Sequence, residues 1–132
     1  MKRVFLSFRA EDKDHVQGVR LLALSPIYRD LEFYDESVQA PFNSFSVDYI
    51  KQQIRQKISR TTVTVVLISE QTYTSDWVNW ELQESDAKGN TIIAMAIKGV
   101  TQAILPPVVK QKGLTFHSWD PEALGKMIEG AS

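Results

Sequence analysis

Trp77 and Glu81 stand four residues apart in the run Ser75-Asp76-Trp77-Val78-Asn79-Trp80-Glu81-Leu82. On a helix that spacing stacks an aromatic plate and a carboxylate on one face. Such a pair can hold a flat base against the ring while the acid accepts hydrogen bonds from sugar hydroxyls. The same residue types also serve plainer ends. An aromatic at the front of an amphipathic helix commonly belongs to the core, and an isolated glutamate commonly faces solvent. The elements around the run decide between these roles.

Those elements alternate in period. Val4–Phe8 is a short apolar strand, and Glu11-Asp12-Lys13-Asp14 can start a helix that carries Val16, Val19, Leu22 and Ala23 and ends before Pro26. Leu31–Tyr34 is a second strand, closed by Asp35. The stretch 36–46 has no period and contains Pro41, Asn43, Phe42 and Phe45, so it is a loop. Ser46 is a suitable N-cap for a helix whose apolar face is Val47, Ile50, Ile54 and Ile58. Val63–Ile68 is the strongest strand, nearly continuous in apolar residues, as suits the centre of a parallel sheet. The Trp77–Glu81 helix follows it and stops at Gly89. Thr91–Ile97 is a further strand, 100–112 is irregular around Pro106-Pro107, and Leu114–Trp119 is a weaker last strand. Asp120-Pro121 then opens a helix with Ala123, Leu124, Met127 and Ile128 on its apolar side.

Strands alternating with helices predict one α/β domain over residues 1–132. Its architecture is a flavodoxin-like three-layer sandwich with a five-stranded parallel sheet in the order 2-1-3-4-5. In such a sheet ligands bind beyond the carboxyl ends of the strands, where the order reverses. That nominates Ser7, Phe8 and Arg9 after strand 1, Ser69 and Glu70 after strand 3, and Asp35 at the end of strand 2. The helix carrying Trp77 and Glu81 begins at this edge. Ser7 itself reads as a small packing residue whose hydroxyl bonds locally.

Composition narrows the chemistry. The 132 residues carry 15 Lys+Arg against 16 Asp+Glu, a net charge of −1, without the basic excess of a nucleic-acid binder. No apolar run approaches the roughly 20 residues that span a bilayer, and the apolar start is too short for a signal-peptide core, so a cytoplasmic chain is expected. Cysteine is absent, and the two histidines, His15 and His117, have no matched partner spacing; no metal site is expected. Neither a G-x-G-x-x-G fingerprint nor a P-loop occurs, and Arg9-Ala10-Glu11-Asp12 offers acid where a flavodoxin has its phosphate cradle. Ser7-Phe8-Arg9 and Ser69 stand where a response-regulator receiver needs acidic residues.

With these pieces in order, the chain resembles a TIR domain. Val4–Phe8, Leu31–Asp35 and Val65–Ser69 are similar to that family's first three strands, and Trp77-Val78-Asn79-Trp80-Glu81 to its W-x-x-x-E. Within the superfamily it resembles the TIR-like branch that includes the bacterial Thoeris antiphage component, over about Arg3 to Lys98. The resemblance implies NAD⁺ as substrate with no separate cofactor, and Glu81 as the catalytic carboxylate. It implies cleavage of nicotinamide and formation of a cyclic or modified ADP-ribose signal that activates a partner effector. It also implies that Phe8 and Arg9 line the nucleotide pocket, with Arg9 on the diphosphate. The loop 36–46 would cover the site and mediate self-association, Phe42 and Phe45 stacking on a base or meeting a neighbour. This loop departs from the glycine-containing version of receptor TIR domains, and Trp80 is an extra aromatic within the motif. Two alternatives stay open: a non-enzymatic TIR-like scaffold, which a net charge near zero does little to oppose, and a nucleoside (deoxyribosyl)transferase-like enzyme that ignores NAD⁺.

Overall fold

A computed structural model describes residues 2–14, 31–35 and 45–131. The helix expected over Val16–Ala23 and most of the loop 36–46, Phe42 included, lie outside the described residues. Strands β1 (Lys2–Phe8), β2 (Leu31–Asp35), β3 (Val63–Ile68), β4 (Thr91–Ala96) and β5 (Phe116–His117) pair in parallel in the order β2-β1-β3-β4-β5. Four of them are full strands. The fifth is two residues long and pairs only with Ala94 and Met95, shorter than the Leu114–Trp119 expected.

Helices α1 (Val47–Ser59), α2 (Asp76–Lys88), α3 (Pro107–Gln111) and α4 (Pro121–Gly130) cover both faces. Strand alternation sends Val4, Leu6, Phe8, Val65, Leu67 and Met95 to the side of Leu124 and Ile128 on α4. The opposite face packs Val66, Ile68 and Ala94 against Val78 and Leu82 of α2 and Val108 and Val109 of α3. Beside them Phe5 meets Ile54 and Ile58 of α1 and Trp80 of α2. The result is three layers around a parallel sheet whose central strand β3 is buried along its whole length.

Local chemistry explains most boundaries. Gly89 ends α2 at φ 91°, a left-handed conformation that costs glycine little. Asp120 caps α4, its carboxylate accepting from the Ala123 N–H at 3.1 Å, with Pro121 at the first helical position. Two expectations need correcting. Ser46 occupies the N-cap position of α1 without its side chain bonding a backbone N–H of that helix. The stretch read as irregular holds α3, which Pro107 starts for the reason Pro121 starts α4: the missing N–H is one the first turn cannot use. Among the described residues no helix is long and apolar enough to cross a membrane.

Candidate active site

Helix α2 is fixed at both ends before it presents anything. At its start the Ser75 hydroxyl accepts from the Val78 N–H at 3.2 Å. At its far end the buried Ser85 hydroxyl accepts from Thr64 of β3 at 2.8 Å. Asn90 reaches Thr61 and Thr64 at 3.0 and 3.2 Å, and the Lys88 ammonium donates to the Thr61 carbonyl and to Asn90. Removing the cap with Ser75→Ala is expected to cost about 1 kcal/mol, read by urea denaturation.

Between these anchors Glu81 turns inward. It shares the buried stripe of α2 with Val78, Leu82 and Ser85 and is 2% exposed. Ser7, fully buried on β1, donates its hydroxyl to Glu81 Oε1 at 2.7 Å. A carboxylate out of water needs charge-assisted partners of this kind, and an O–H donor at this distance is a strong one. The local bond expected for Ser7 is therefore replaced by one that spans 74 positions in sequence. Nothing in the spacing of residues could have found it. The available signal was a lone hydroxyl in the otherwise apolar run Val4–Phe8, which demands a partner somewhere.

The other expected site residues take separate positions. Trp77 lies one turn before Glu81, partly buried, and meets Trp80 edge-on with ring centroids 5.9 Å apart. Arg9 and Ser69 converge on Asp12, a carboxylate 6% exposed in the single 3₁₀ turn Ala10–Asp12 that follows β1. The structure does not bring Phe8 to Glu81. Alternation that aims Ser7 at α2 aims Phe8 into the core on the α4 side, where it is 4% exposed. Asp35 closes β2, its backbone in register with Leu6, and its side chain is outside the described part. Phe45 is fully exposed, as is most of Tyr49 one turn further on.

Trp80 has a role distinct from Trp77. It is 8% exposed in the Phe5, Ile54 and Ile58 cluster, while Lys51 Nζ and Arg55 Cζ of α1 lie 5.4 and 5.3 Å from its ring centroid. Arg55 also pairs with Glu84 at 3.1 Å. The extra aromatic thus joins α1 to α2. Beyond the ends of β3 and β4, Glu70, Gly99, Thr101, Gln102 and Ile104 line a groove of about 640 Å³ at the carboxyl edge.

Residues 5–102 match the family model described as Thoeris protein ThsB, TIR-like domain. ThsB1 of Bacillus cereus (strain MSX-D12), whose name proposes it as a cyclic ADP-D-ribose synthase, is 33% identical over 99 residues. The match takes in 73% of this chain and 52% of that protein, so the chain spans about half the length of the curated relative it matches. The TIR domain of the Toll-related receptor TRR-2 from Hydra magnipapillata superimposes with a TM-score of 0.66 at 16% identity, covering 96% of this chain and 97% of that one. The CMP N-glycosidase BcmB of Clostridium botulinum superimposes with a TM-score of 0.60 at 14% identity, covering 97% and 98%. At such identities the likeness is one of fold.

Proposed function

The chain belongs to the TIR-like domain family of the Thoeris protein ThsB, and from that premise we propose that it cleaves nicotinamide from NAD⁺ and makes a cyclic or modified ADP-ribose signal in antiphage defence. The observation that carries this reading is Glu81, buried at the carboxyl edge of the sheet with Ser7 on its Oε1. A glutamate with only a structural role on α2 would gain by facing water.

The chemistry asks little of the protein beyond that carboxylate. The bond between the ribose C1′ and the pyridinium nitrogen breaks, and its electron pair leaves with nicotinamide, which departs neutral and needs no general acid. Positive charge builds on the ribose, as in glycoside hydrolysis. A fixed carboxylate in a poorly solvated place stabilises that charge and accepts bonds from the ribose hydroxyls. A nucleophilic atom of the same molecule then closes the ring and loses its proton, or water does so and gives linear ADP-ribose. Holding the internal nucleophile close and excluding water selects the ring. Trp77 supplies a surface for a flat ring one turn from Glu81, and Arg9 a cation for the diphosphate. The product would then activate a separate effector protein.

Incubation of the purified chain with NAD⁺, followed by mass spectrometry, tests the proposal. Expected are free nicotinamide and a product lighter than ADP-ribose by one water, or a modified isomer of it. NAD⁺ left intact overturns the reading, and turnover of nucleosides with NAD⁺ untouched favours the transferase alternative. Ser7→Ala is expected to lower kcat roughly tenfold to a hundredfold with KM nearly unchanged, because it takes a donor from a buried carboxylate without touching the substrate. Steady-state nicotinamide release reads both parameters.

A second reading has its own observation. Phe45, at the end of the loop 36–46, and Tyr49, in the first turn of α1, are both exposed and favour self-association through this region. Assembly that rises with concentration, unaccompanied by any turnover, would make the chain a scaffold.

A further inference from the structure

We infer that Asp12 is a positioning residue that holds Arg9 ready for the diphosphate of a dinucleotide and ties it to the segment leading into α2. The ligand in this inference rests on the NAD⁺ reading above; the clamp itself rests on geometry.

Asp12 is buried, and its carboxylate takes partners from two strand ends. Oδ2 accepts from the Ser69 hydroxyl at 2.7 Å and faces Arg9 Nε at 3.4 Å, while Oδ1 faces Arg9 Nη2 at 3.4 Å. The guanidinium is thereby met side-on. Of its five N–H donors this contact occupies the edge formed by Nε and one hydrogen of Nη2, and the Nη1 edge points away from Asp12. Glu11 also approaches Nε at 3.4 Å, but its side chain is 66% exposed and contributes little fixation. An arginine on a surface usually spends rotamer entropy to meet an anion. Here the two contacts to Asp12 at 3.4 Å take on part of that cost beforehand, which is the meaning of preorganisation.

The clamp continues toward the carboxylate. Ser69 closes the end of β3, its N–H donating to Thr72 Oγ1 at 2.7 Å and its hydroxyl lying 3.1 Å from the same atom. Thr72 is fully buried, and the Ser75 N–H donates to its carbonyl at 3.0 Å. Ser75 caps the helix that carries Glu81. A continuous run of bonds therefore links the cation at the end of β1 to the start of α2. It ties the group proposed to meet phosphate to the start of the helix that carries the group proposed to meet ribose. That tie matters for a dinucleotide and not for a nucleoside.

Asp12→Asn in the full chain keeps the side-chain volume and can still accept from Ser69, but turns an N–H toward Arg9 or gives up one oxygen. Expected is a rise in KM for NAD⁺ of about tenfold with kcat little changed. Nicotinamide riboside, which has no phosphate, should lose no comparable specificity. Arg9→Lys keeps the charge and loses the fork, and should reproduce the same split if the Asn variant does not fold. Equal losses on both substrates, a fall confined to kcat, or no change would overturn the inference. Calorimetric titration with ADP-ribose, which has the diphosphate and no bond to cleave, separates this from the parent reading. If NAD⁺ is not cleaved, an ADP-ribose affinity about tenfold weaker in Asp12→Asn still supports the clamp. Equal affinity, or none in the unaltered chain, overturns it.

Discussion

On the proposed NAD⁺ reading, Glu81→Gln is expected to lower kcat for nicotinamide release roughly a thousandfold or more while the protein stays folded. The substitution is nearly isosteric. The Ser7 hydroxyl, 2.7 Å from Oε1, can donate to the amide oxygen as it does to the carboxylate. On that reading, what disappears is the negative charge that would face the ribose as its own positive charge develops. That interaction is far stronger in the transition state than with bound substrate, so kcat falls and KM changes little. The buried position sharpens the test. Removing a charge from a site 2% exposed also removes a desolvation cost, so the melting temperature should hold or rise. Nicotinamide release by chromatography, alongside a thermal melt of the same preparation, checks both halves. Turnover equal to that of the unaltered chain would take Glu81 out of the reaction, and a collapse of stability would make it a structural residue.

The largest effect expected on stability comes from Trp80→Ala, at about 3–5 kcal/mol. Trp80 is 8% exposed and fills the space between Phe5 of β1 and Ile54 and Ile58 of α1. Its truncation opens a cavity among groups that are held from three elements and cannot close in. It also strips Lys51 and Arg55 of the ring that both approach within 5.5 Å, and Trp77 of its edge-on neighbour. Typical domains have only about 5–15 kcal/mol to lose, so a fall in melting temperature on the order of 10–20 °C follows. Trp80→Phe keeps much of the volume and should cost less than half as much. Urea unfolding of both variants decides the matter, and a loss under about 1 kcal/mol for the alanine variant would mean the site collapses or was never tightly filled.

Much of this architecture could be read from local pattern. The apolar run Val63–Ile68 reads as a buried parallel strand because both its faces are covered. Trp77 and Glu81 could be paired from their spacing, since four residues on a helix is a fixed geometry. Contacts between distant segments are another matter. Ser7 and Glu81 meet because β1 and α2 lie against each other in space, and nothing near residue 7 carries the identity of residue 81. Asp12 was legible only as part of an acidic helix start; its bond to Ser69 depends on β1 and β3 ending side by side. Phe8 could have been placed better. Once Ser7 turns toward α2, period-two alternation sends its neighbour the other way. The short α3 was hidden because Pro106-Pro107 reads first as a breaker and only second as a helix start.

Sinking an acid group into packed surroundings at the end of a sheet carries a desolvation cost that a hydrophobic pair there would not. Under the proposed function, that cost is offset by the chemistry the acid would perform. A relative that retained this architecture but gave up chemistry would be free to put two greasy side chains where residues 7 and 81 now meet, and would be sturdier for it. If Glu81→Gln abolishes turnover as expected, the identity of that single pair offers a way to tell active members of the group from inactive ones.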